Sequence, residues 1–297
     1  MTAASKGFIP AATAFAIWGI FPLYFHPLHE VSPVQVIAHR IVWSCVFVLA
    51  WMALRGELGS LRATFADRSA LLRLAGSATL ITLNWLVYVW AVFHGHVVET
   101  SLGYFIGPLV NVLMGVVLLC ERLTLTQWTA VALAAIGVGY LTLMAGGFPW
   151  IALTLACSFA TYGLIRKVVR VAALPGLATE TLVLMPFALG YLLWCESAGT
   201  GALGHSPAIA DALLIGSGPI TAITLFLFAY GTRLLPYSTV GVLQYIAPTG
   251  QFACGVFALH EPFEHTRAVG FTIIWAALLI YAGEGFRLSR RQQRAFA

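Results

Sequence analysis

The sequence predicts an all-α polytopic membrane protein whose ten transmembrane helices form two inverted five-helix repeats. Three observations support this prediction: the apolar composition, the placement of the cationic side chains and an internal repeat. Of the 297 residues, 60% are hydrophobic and only 9% are charged, whereas about 25% of the residues of a soluble domain are charged. So few charges exclude a soluble globular enzyme. The net charge of +5 is attributed to loops facing an anionic leaflet, and no nucleic-acid partner is expected.

Ten apolar runs are long enough to cross a bilayer, which takes about 20 residues per helix. They are apolar around their whole circumference, unlike amphipathic surface helices. The first run lacks a small-residue cleavage region, so we interpret it as an uncleaved span. The runs cover approximately residues 8–26, 32–54, 71–94, 97–119, 124–145, 148–167, 176–195, 211–230, 235–259 and 266–287.

The cationic side chains orient these runs, because loops rich in Lys and Arg stay on the cytoplasmic side. When successive runs alternate in direction, all but two of the 16 Lys and Arg residues lie on one side. The exceptions are Arg267, in an opposite loop, and Arg40, inside the second run. We therefore predict that the N-terminus and the C-terminus are both cytoplasmic.

An internal repeat divides the chain into an N-terminal half, 1–146, and a C-terminal half, 147–297. A shift of 140 residues aligns Pro108 with Pro248, one of seven identities over residues 100–126. Each half holds five runs, an odd number, so the second half enters the membrane upside down. Inverted halves around an in-plane pseudo-twofold axis are typical of secondary transporters, which alternate between inward-open and outward-open shapes around one central site.

The two matched prolines, Pro108 and Pro248, lie about halfway along the fourth and ninth runs. A proline removes a backbone hydrogen bond and kinks or breaks a helix. Matched helix breaks in two halves point to the binding site of a transporter, so we predict a break and a gating role at both. The alternative is that they merely kink their helices, because prolines are common in membrane spans.

Polar and aromatic side chains within the runs predict the substrate-binding surface. Polar groups are costly against lipid and are expected to face the interior of the helix bundle. The alternative is that they join helices through hydrogen bonds without contacting a ligand. The candidate substrate-binding residues are Trp18, His39, Arg40, Asn84, Tyr88, Tyr104, Tyr162, Gln244 and Tyr245.

Ionisable residues within membrane spans are rare and mark functional sites. Arg40 is interpreted as a partner of Glu99 or Glu180, or as a contact for a substrate carboxylate. Glu99 and Glu180 are the candidate proton carriers or ion-pair partners, together with His39, but both carboxylates lie near a membrane surface. Because no acidic residue lies at the midplane, we expect facilitative or weakly proton-coupled transport. Glu121 and Glu261, after the fourth and ninth runs, are expected to tie loops to helix ends.

Five segments resemble one known family of membrane proteins. They are IWGIFPLYF (17–25), AHRIVWS (38–44), NWLVYVWAVFHGHVVETSLGYFIGPLVNVLMG (84–115), TYGLIRKV (161–168) and VLQYIAPTGQFACGVFALHEPF (242–263). These segments resemble the RarD-type branch of the EamA transporters, within the drug/metabolite transporter superfamily. The resemblance implies a multi-pass protein of the bacterial inner membrane with the drug/metabolite transporter fold, and export of small metabolites.

The sequence contains no Walker A segment, catalytic triad or metal-ligand cluster. Neither an enzyme nor a pump driven by its own ATP hydrolysis is therefore expected, and no cofactor or metal. The candidate binding residues are aromatic and hydrogen-bonding with few fixed charges, which favours aromatic or other neutral amino acids as the small-molecule substrate. A drug efflux permease for chloramphenicol-type compounds and a non-transporting membrane scaffold are the alternatives. We expect the protein to lie in a lipid bilayer. The sequence leaves its oligomeric state open, and a monomer is one of the alternatives.

The predicted topology is tested with single cysteines in a chain whose five native cysteines have been replaced. A cysteine at Ser60 should react with a membrane-impermeant thiol reagent only from the cytoplasmic side, and one at Thr200 only from the opposite side. Labelling of both positions from the same face would contradict the span count and the inverted repeat.

Overall fold

The computed structural model describes residues 3–94, 97–145, 148–258 and 265–295. Within these ranges the regular elements are helices, so the predicted all-α class is confirmed, and each of the ten predicted runs contains helix. The α-helices are α1 (Ala3–Gly19), α2 (Phe21–Phe25), α3 (Pro33–Leu54), α4 (Leu58–Ala66), α5 (Arg68–Phe93), α6 (Val97–Leu118), α7 (Leu125–Ala145), α8 (Trp150–Val168), α9 (Ala173–Ser197), α10 (Ala208–Leu234), α11 (Tyr237–Gln244), α12 (Ile246–Ala253) and α13 (His265–Ala295).

Length and hydropathy identify the helices that are able to cross a membrane. In the described part of the chain, seven helices qualify: α3, α5, α7, α8, α9, α10 and α13. Helices α1 and α2 qualify together as one span bent by 44°, and α6 contains a shorter apolar helix, Leu102–Leu118. The ninth predicted run is divided into α11, α12 and a π-helical turn, Cys254–Ala258. The chain is therefore a polytopic helical membrane protein.

The bend between α1 and α2 follows from a proline. Pro22 has no N–H and leaves the Trp18 carbonyl, four residues earlier, without its helical partner. The Gln251 side chain fills that place, because its Nε2 donates to the Trp18 carbonyl oxygen at 3.2 Å. Gly19 and Gly250 allow the two segments to approach so closely that a Cβ on Gly250 would lie 2.9 Å from Gly19 Cα. The break in the first half is thus closed by a side chain of the second half.

The two matched prolines behave differently. Helix α11 ends at Gln244 and α12 begins at Ile246, which places Pro248 in the first turn of α12, where the missing N–H costs nothing. Helix α6, in contrast, runs unbroken through Pro108, so the break predicted there is not seen. Helix α6 packs against α8 and α11, and Gly241 fits directly against the Pro108 carbonyl. This packing holds α6 together across the lost hydrogen bond.

The main helix pairings join the two halves of the chain. Helix α1 packs against α10, α11 and α12, α3 packs against α9 and α10, and α5 packs against α8 and α9. Helix α6 lies between α8 and α11, and α7 packs against α13. The largest core cluster combines Phe15 and Met52 of the first half with Tyr162, Phe228 and Tyr237 of the second. Each half therefore buries its apolar surface mainly against the other.

A buried ion pair lies where α5, α8 and α9 meet. Arg166 and Glu180 are 1% and 3% exposed, and the Arg166 Nη1 atom lies 3.7 Å from Glu180 Oε1. Ser77 donates a hydrogen bond to the same carboxylate, and Arg166 Nη2 donates to the Ala173 carbonyl at 2.9 Å. Gly176 makes room for the guanidinium, since a Cβ there would overlap it. Glu180 is thus paired within the core.

A second carboxylate connects the halves at a helix start. Glu121, in the loop after α6, accepts hydrogen bonds from the Ser238 N–H at 2.8 Å and from the Ser238 hydroxyl at 2.7 Å. It also accepts one from the Tyr237 N–H. A negative charge is favourable at the N-terminus of a helix, where N–H groups lack helical partners. The prediction that Glu121 ties a loop to a helix end is confirmed, whereas Glu261 lies outside the described residues.

The buried pair yields a stability prediction. Glu180→Ala leaves the Arg166 guanidinium buried without its counter-charge, which should lower the free energy of unfolding by about 3–5 kcal/mol. The measurement is unfolding of the purified protein by a denaturing detergent. Glu57→Ala is the control, because it removes an exposed partner of Arg55 at 2.7 Å and should cost about 0–1 kcal/mol. Equal losses in the two variants would contradict the assigned role of the pair.

Candidate functional site

A cavity of about 440 Å³ lies between the two halves. Helices α1, α2, α3, α5 and α6 line it from the first half, and α8, α10, α11 and α12 line it from the second. At one end the lining includes the exposed loop residue His29. Its volume falls within the range of about 300–1,000 Å³ that is usual for small-molecule sites.

The cavity brings together most of the binding residues that the sequence predicts. Asn84 and Tyr88 lie one helical turn apart and face it from the same side of α5, as their spacing predicts. Gln244 reaches it from the last turn of α11. The predicted binding residues that line the cavity are Trp18, Arg40, Asn84, Tyr88, Tyr104 and Gln244.

Amide side chains connect the halves across the cavity wall. The Asn84 Nδ2 atom donates to the Leu155 carbonyl at 2.8 Å and to the Ser158 hydroxyl at 2.9 Å. Asn111 Nδ2 donates to Gln244 Oε1 at 2.5 Å. The Gln244 Nε2 atom lies over Gly107, where a Cβ would approach it to 2.8 Å. These bonds hold the amides in place and leave the Gln244 amide nitrogen at the cavity wall as a donor.

Arg40 lies in an aromatic cage. Its guanidinium carbon is 4.7 Å from the ring centroid of Trp85, 5.4 Å from that of Phe25 and 5.7 Å from that of Phe21. Its Nε donates to the Thr221 hydroxyl at 3.0 Å. Cation–π contacts stabilise a charge that is partly removed from water. In the described ranges no carboxylate lies within 4.0 Å of this guanidinium.

Further aromatic rings line the space beside Arg40. Tyr88 and Tyr104 meet edge to face with ring centroids 6.1 Å apart. Trp18 meets Phe159 in the same way at 5.8 Å. Edge-to-face pairs are favourable and hold rings in defined orientations. The cavity therefore offers flat apolar surfaces with hydroxyl and amide groups at their borders.

Three predicted binding residues lie away from this cavity. His39 is buried at 4% exposure on a different face of α3 from Arg40. Tyr162 is fully buried and stacks on Phe228 with centroids 6.0 Å apart; it lies one helical turn further along α8 than Phe159, which lines the cavity. Tyr245 is buried and donates to the Phe105 carbonyl at 3.2 Å. Their positions therefore correct the sequence-based placement, and they serve packing and helix contacts here.

The two predicted carboxylates do not meet Arg40 in the described structure. Glu180 is occupied by Arg166 and does not line the cavity, so the proposed pairing of Arg40 with Glu180 is wrong. Glu99 falls in the first turn of α6, and its side chain lies outside the part of the chain that the structure describes.

Sequence reasoning missed several lining residues, and the aromatic ones among them shape the site. Phe21, Phe25 and Trp85 surround Arg40, and Phe159 lines the wall in contact with Trp18. Aromatic residues in membrane proteins also lie at the lipid interface and pack in the core, so residue type alone did not identify the cavity residues. The available signal was position: Trp85 directly follows Asn84, and Phe21 and Phe25 share one helix face.

Comparisons with known proteins agree with this architecture. The model of the EamA-like transporter family matches residues 5–143. The chain is 43% identical to the uncharacterized transporter YojE of Bacillus subtilis, over 93% of each chain. It is also 43% identical to the protein RarD of Streptomyces exfoliatus, over 94% of this chain and 89% of that one.

A solved crystal structure shares the fold at 19% sequence identity, with a TM-score of 0.73 over 93% of this chain and 97% of the other. Sequence relatives of more than 40% identity along nearly the whole chain show descent as well as fold. The protein is thus a multi-pass membrane transporter that belongs to the RarD-type branch of the EamA-like family.

Proposed function

We propose that this transporter exports aromatic or other neutral amino acids across the bacterial inner membrane, by alternating access around the central cavity. The observation that carries the proposal is the cavity itself, which is lined by both halves and combines aromatic walls with amide and hydroxyl groups. A site between two halves changes its access when the halves rock against each other.

The lining supports a medium-sized substrate with an apolar body. Trp18, Tyr88, Tyr104 and Phe159 present ring surfaces, and Gln244 presents an amide donor at the wall. Arg40 supplies a fixed positive charge suited to a carboxylate. These features match an aromatic amino acid better than a sugar phosphate or a nucleotide, which call for several cations around one ligand.

We further propose ten membrane spans in two inverted halves, 1–146 and 147–297. The helix pairings support this arrangement, because they recur when the halves are exchanged. The contact of α1 with α10 corresponds to that of α8 with α5, and the contact of α6 with α8 corresponds to that of α11 and α12 with α1. A pseudo-twofold axis requires such matched pairs.

With both termini in the cytoplasm, as the cationic loops favour, the cavity end at His29 faces outward. The opposite side holds the buried pair of Arg166 and Glu180. This arrangement supports an outward-open state whose cytoplasmic side is closed. We assign the gating role to the segment around Pro248 and, through its contact with Gly241 on α11, to Pro108.

One alternative function is a drug efflux permease. It is favoured by the eight aromatic side chains among the described lining residues, which suit a neutral drug-like compound. A non-transporting scaffold, the other alternative from the sequence, disagrees with the similarity to transporters and requires no such cavity. Uptake into proteoliposomes separates an amino-acid exporter from a drug permease by the compounds that enter, and protein-free vesicles are the control.

The binding site is tested by transport in proteoliposomes loaded with unlabelled phenylalanine and given labelled phenylalanine outside. Tyr88→Ala and Gln244→Ala should each reduce the rate of exchange by about tenfold, because each removes a ring contact or a hydrogen bond to substrate. Tyr230→Ala is the control, since Tyr230 is 40% exposed on α10 and does not line the cavity. If both cavity variants exchange substrate at the wild-type rate, at equal amounts of folded protein, the substrate-binding site lies elsewhere.

The driving force is tested with a pH gradient at zero membrane potential. Proton coupling needs a titrating group that faces the cavity, and Glu180 is held by Arg166 in the core instead. We therefore expect substrate to equilibrate without sustained accumulation. Uphill accumulation that collapses with a protonophore would contradict this expectation. Its loss in Glu99→Gln or His39→Ala, with downhill exchange retained, would then identify the proton carrier.

A further inference from the structure

Among the cations of the described helices, Arg40 differs from Arg166, Lys167 and Arg233 in its partners. Arg166 pairs with Glu180. Lys167 donates to the carbonyls of Thr232 and Leu235, and Arg233 donates to the Val171 carbonyl. The two acceptors of Lys167 lie at the C-terminal end of α10, where carbonyl groups carry partial negative charge. The protein therefore supplies a carboxylate for Arg166 and carbonyl acceptors for Lys167 and Arg233.

Arg40 has one hydrogen bond in the described structure, from Nε to Thr221. A guanidinium has five N–H donors and no acceptor, so four donors on the two terminal nitrogens are left for a ligand. The rings of Phe21, Phe25 and Trp85 stabilise the cation but do not neutralise it. An uncompensated cation in a membrane span is costly and marks a functional site.

The described residues that line the cavity include no acidic side chain. Arg40 is the one permanently charged residue among the described lining residues. The exposed His29 is the other basic side chain among them. A substrate ammonium group would find no carboxylate among these described residues, and the three rings nearest to Arg40 already stabilise a cation. The charge pattern therefore complements a single anionic group and disfavours a cationic one.

We infer that Arg40 anchors one carboxylate and that the cavity selects monocarboxylates with an aromatic or apolar body, whether or not they carry an ammonium group. The inference rests on the proposed function, because it assigns the substrate class of the same cavity. The planar guanidinium matches a carboxylate through two parallel N–H···O bonds. The rings of Trp18, Phe159, Tyr88 and Tyr104 then enclose the apolar body.

The test uses four matched probes that share one phenyl ring: 3-phenylpropionate, 3-phenylpropanamide, phenylalanine and phenethylamine. Binding to the detergent-purified protein is measured by the change in tryptophan fluorescence, which Trp18 and Trp85 report from the cavity wall. The two carboxylates should bind about 10- to 100-fold more tightly than the amide and the amine, the usual range for a charge-assisted hydrogen bond. Equal affinities, or no measurable binding of either carboxylate, would overturn the inference.

Variants then assign the preference to Arg40. Arg40→Gln should remove the preference for carboxylate over amide, and Arg40→Lys should restore part of it by keeping the charge. Arg62→Gln removes an exposed cation of α4, remote from the cavity, and should leave all four affinities unchanged. A carboxylate preference that survives Arg40→Gln would overturn the assignment. The comparison of probes on the unmodified protein stands even where a variant fails to fold.

Transport of the same probes separates this inference from the proposed function. Carboxylate-selective binding without exchange in proteoliposomes would contradict the proposed transport function and support the role of Arg40 as a carboxylate anchor. If the amide or the amine is exchanged as fast as the carboxylates, the result would support the transport function and overturn the role of Arg40 as a carboxylate anchor. Exchange restricted to the carboxylates and lost in Arg40→Gln would support both.

Discussion

The structure depends on one constraint: hydrocarbon offers no hydrogen-bond partners, so each polar group at membrane depth must be satisfied within the protein. Many of these bonds run between the two halves. Glu121 meets the first N–H groups of α11, Gln251 meets the Trp18 carbonyl that Pro22 leaves free, and Asn84 meets α8. Satisfying polar groups therefore also fastens the halves to each other, and it does so around the space that the cavity occupies.

The same constraint separates structural charges from the charge at the cavity. Arg166 is compensated inside the protein by Glu180 and by the Ala173 carbonyl, and it is buried. Arg40 is half-buried, surrounded by rings and open to the cavity. An aromatic cage fixes a cation in position while leaving its N–H groups unsatisfied. Such an arrangement suits a guanidinium that gains its hydrogen-bond acceptor and counter-charge only when an anionic ligand binds.

Helical spacing predicted some of the cavity residues correctly, whereas the equivalence of the two halves in sequence placed another residue wrongly. Asn84 and Tyr88 face the cavity because residues four apart share a helix face. A shift of 144 residues aligns Trp18-Gly19 with Tyr162-Gly163, which predicts that Tyr162 lies at the cavity as Trp18 does. The cavity does not repeat this equivalence, however, since Phe159 of α8 lines it while Tyr162, one turn further along, is buried against Phe228. The internal repeat also predicted a break at Pro108, where packing keeps α6 continuous.

The sequence alone determined the all-helical membrane class, the helix positions and the resemblance to EamA transporters, because hydropathy, proline and charge act locally along the chain. It also identified Arg40 as an exceptional charge. Only the tertiary structure decided which carboxylate pairs with which cation, since Glu180 and Arg166 are brought together by the packing of α8 on α5 and α9. It also decided that Phe21, Phe25 and Trp85 surround Arg40. Contacts between distant segments depend on how whole helices pack, and no local pattern encodes the rotation of one helix against another.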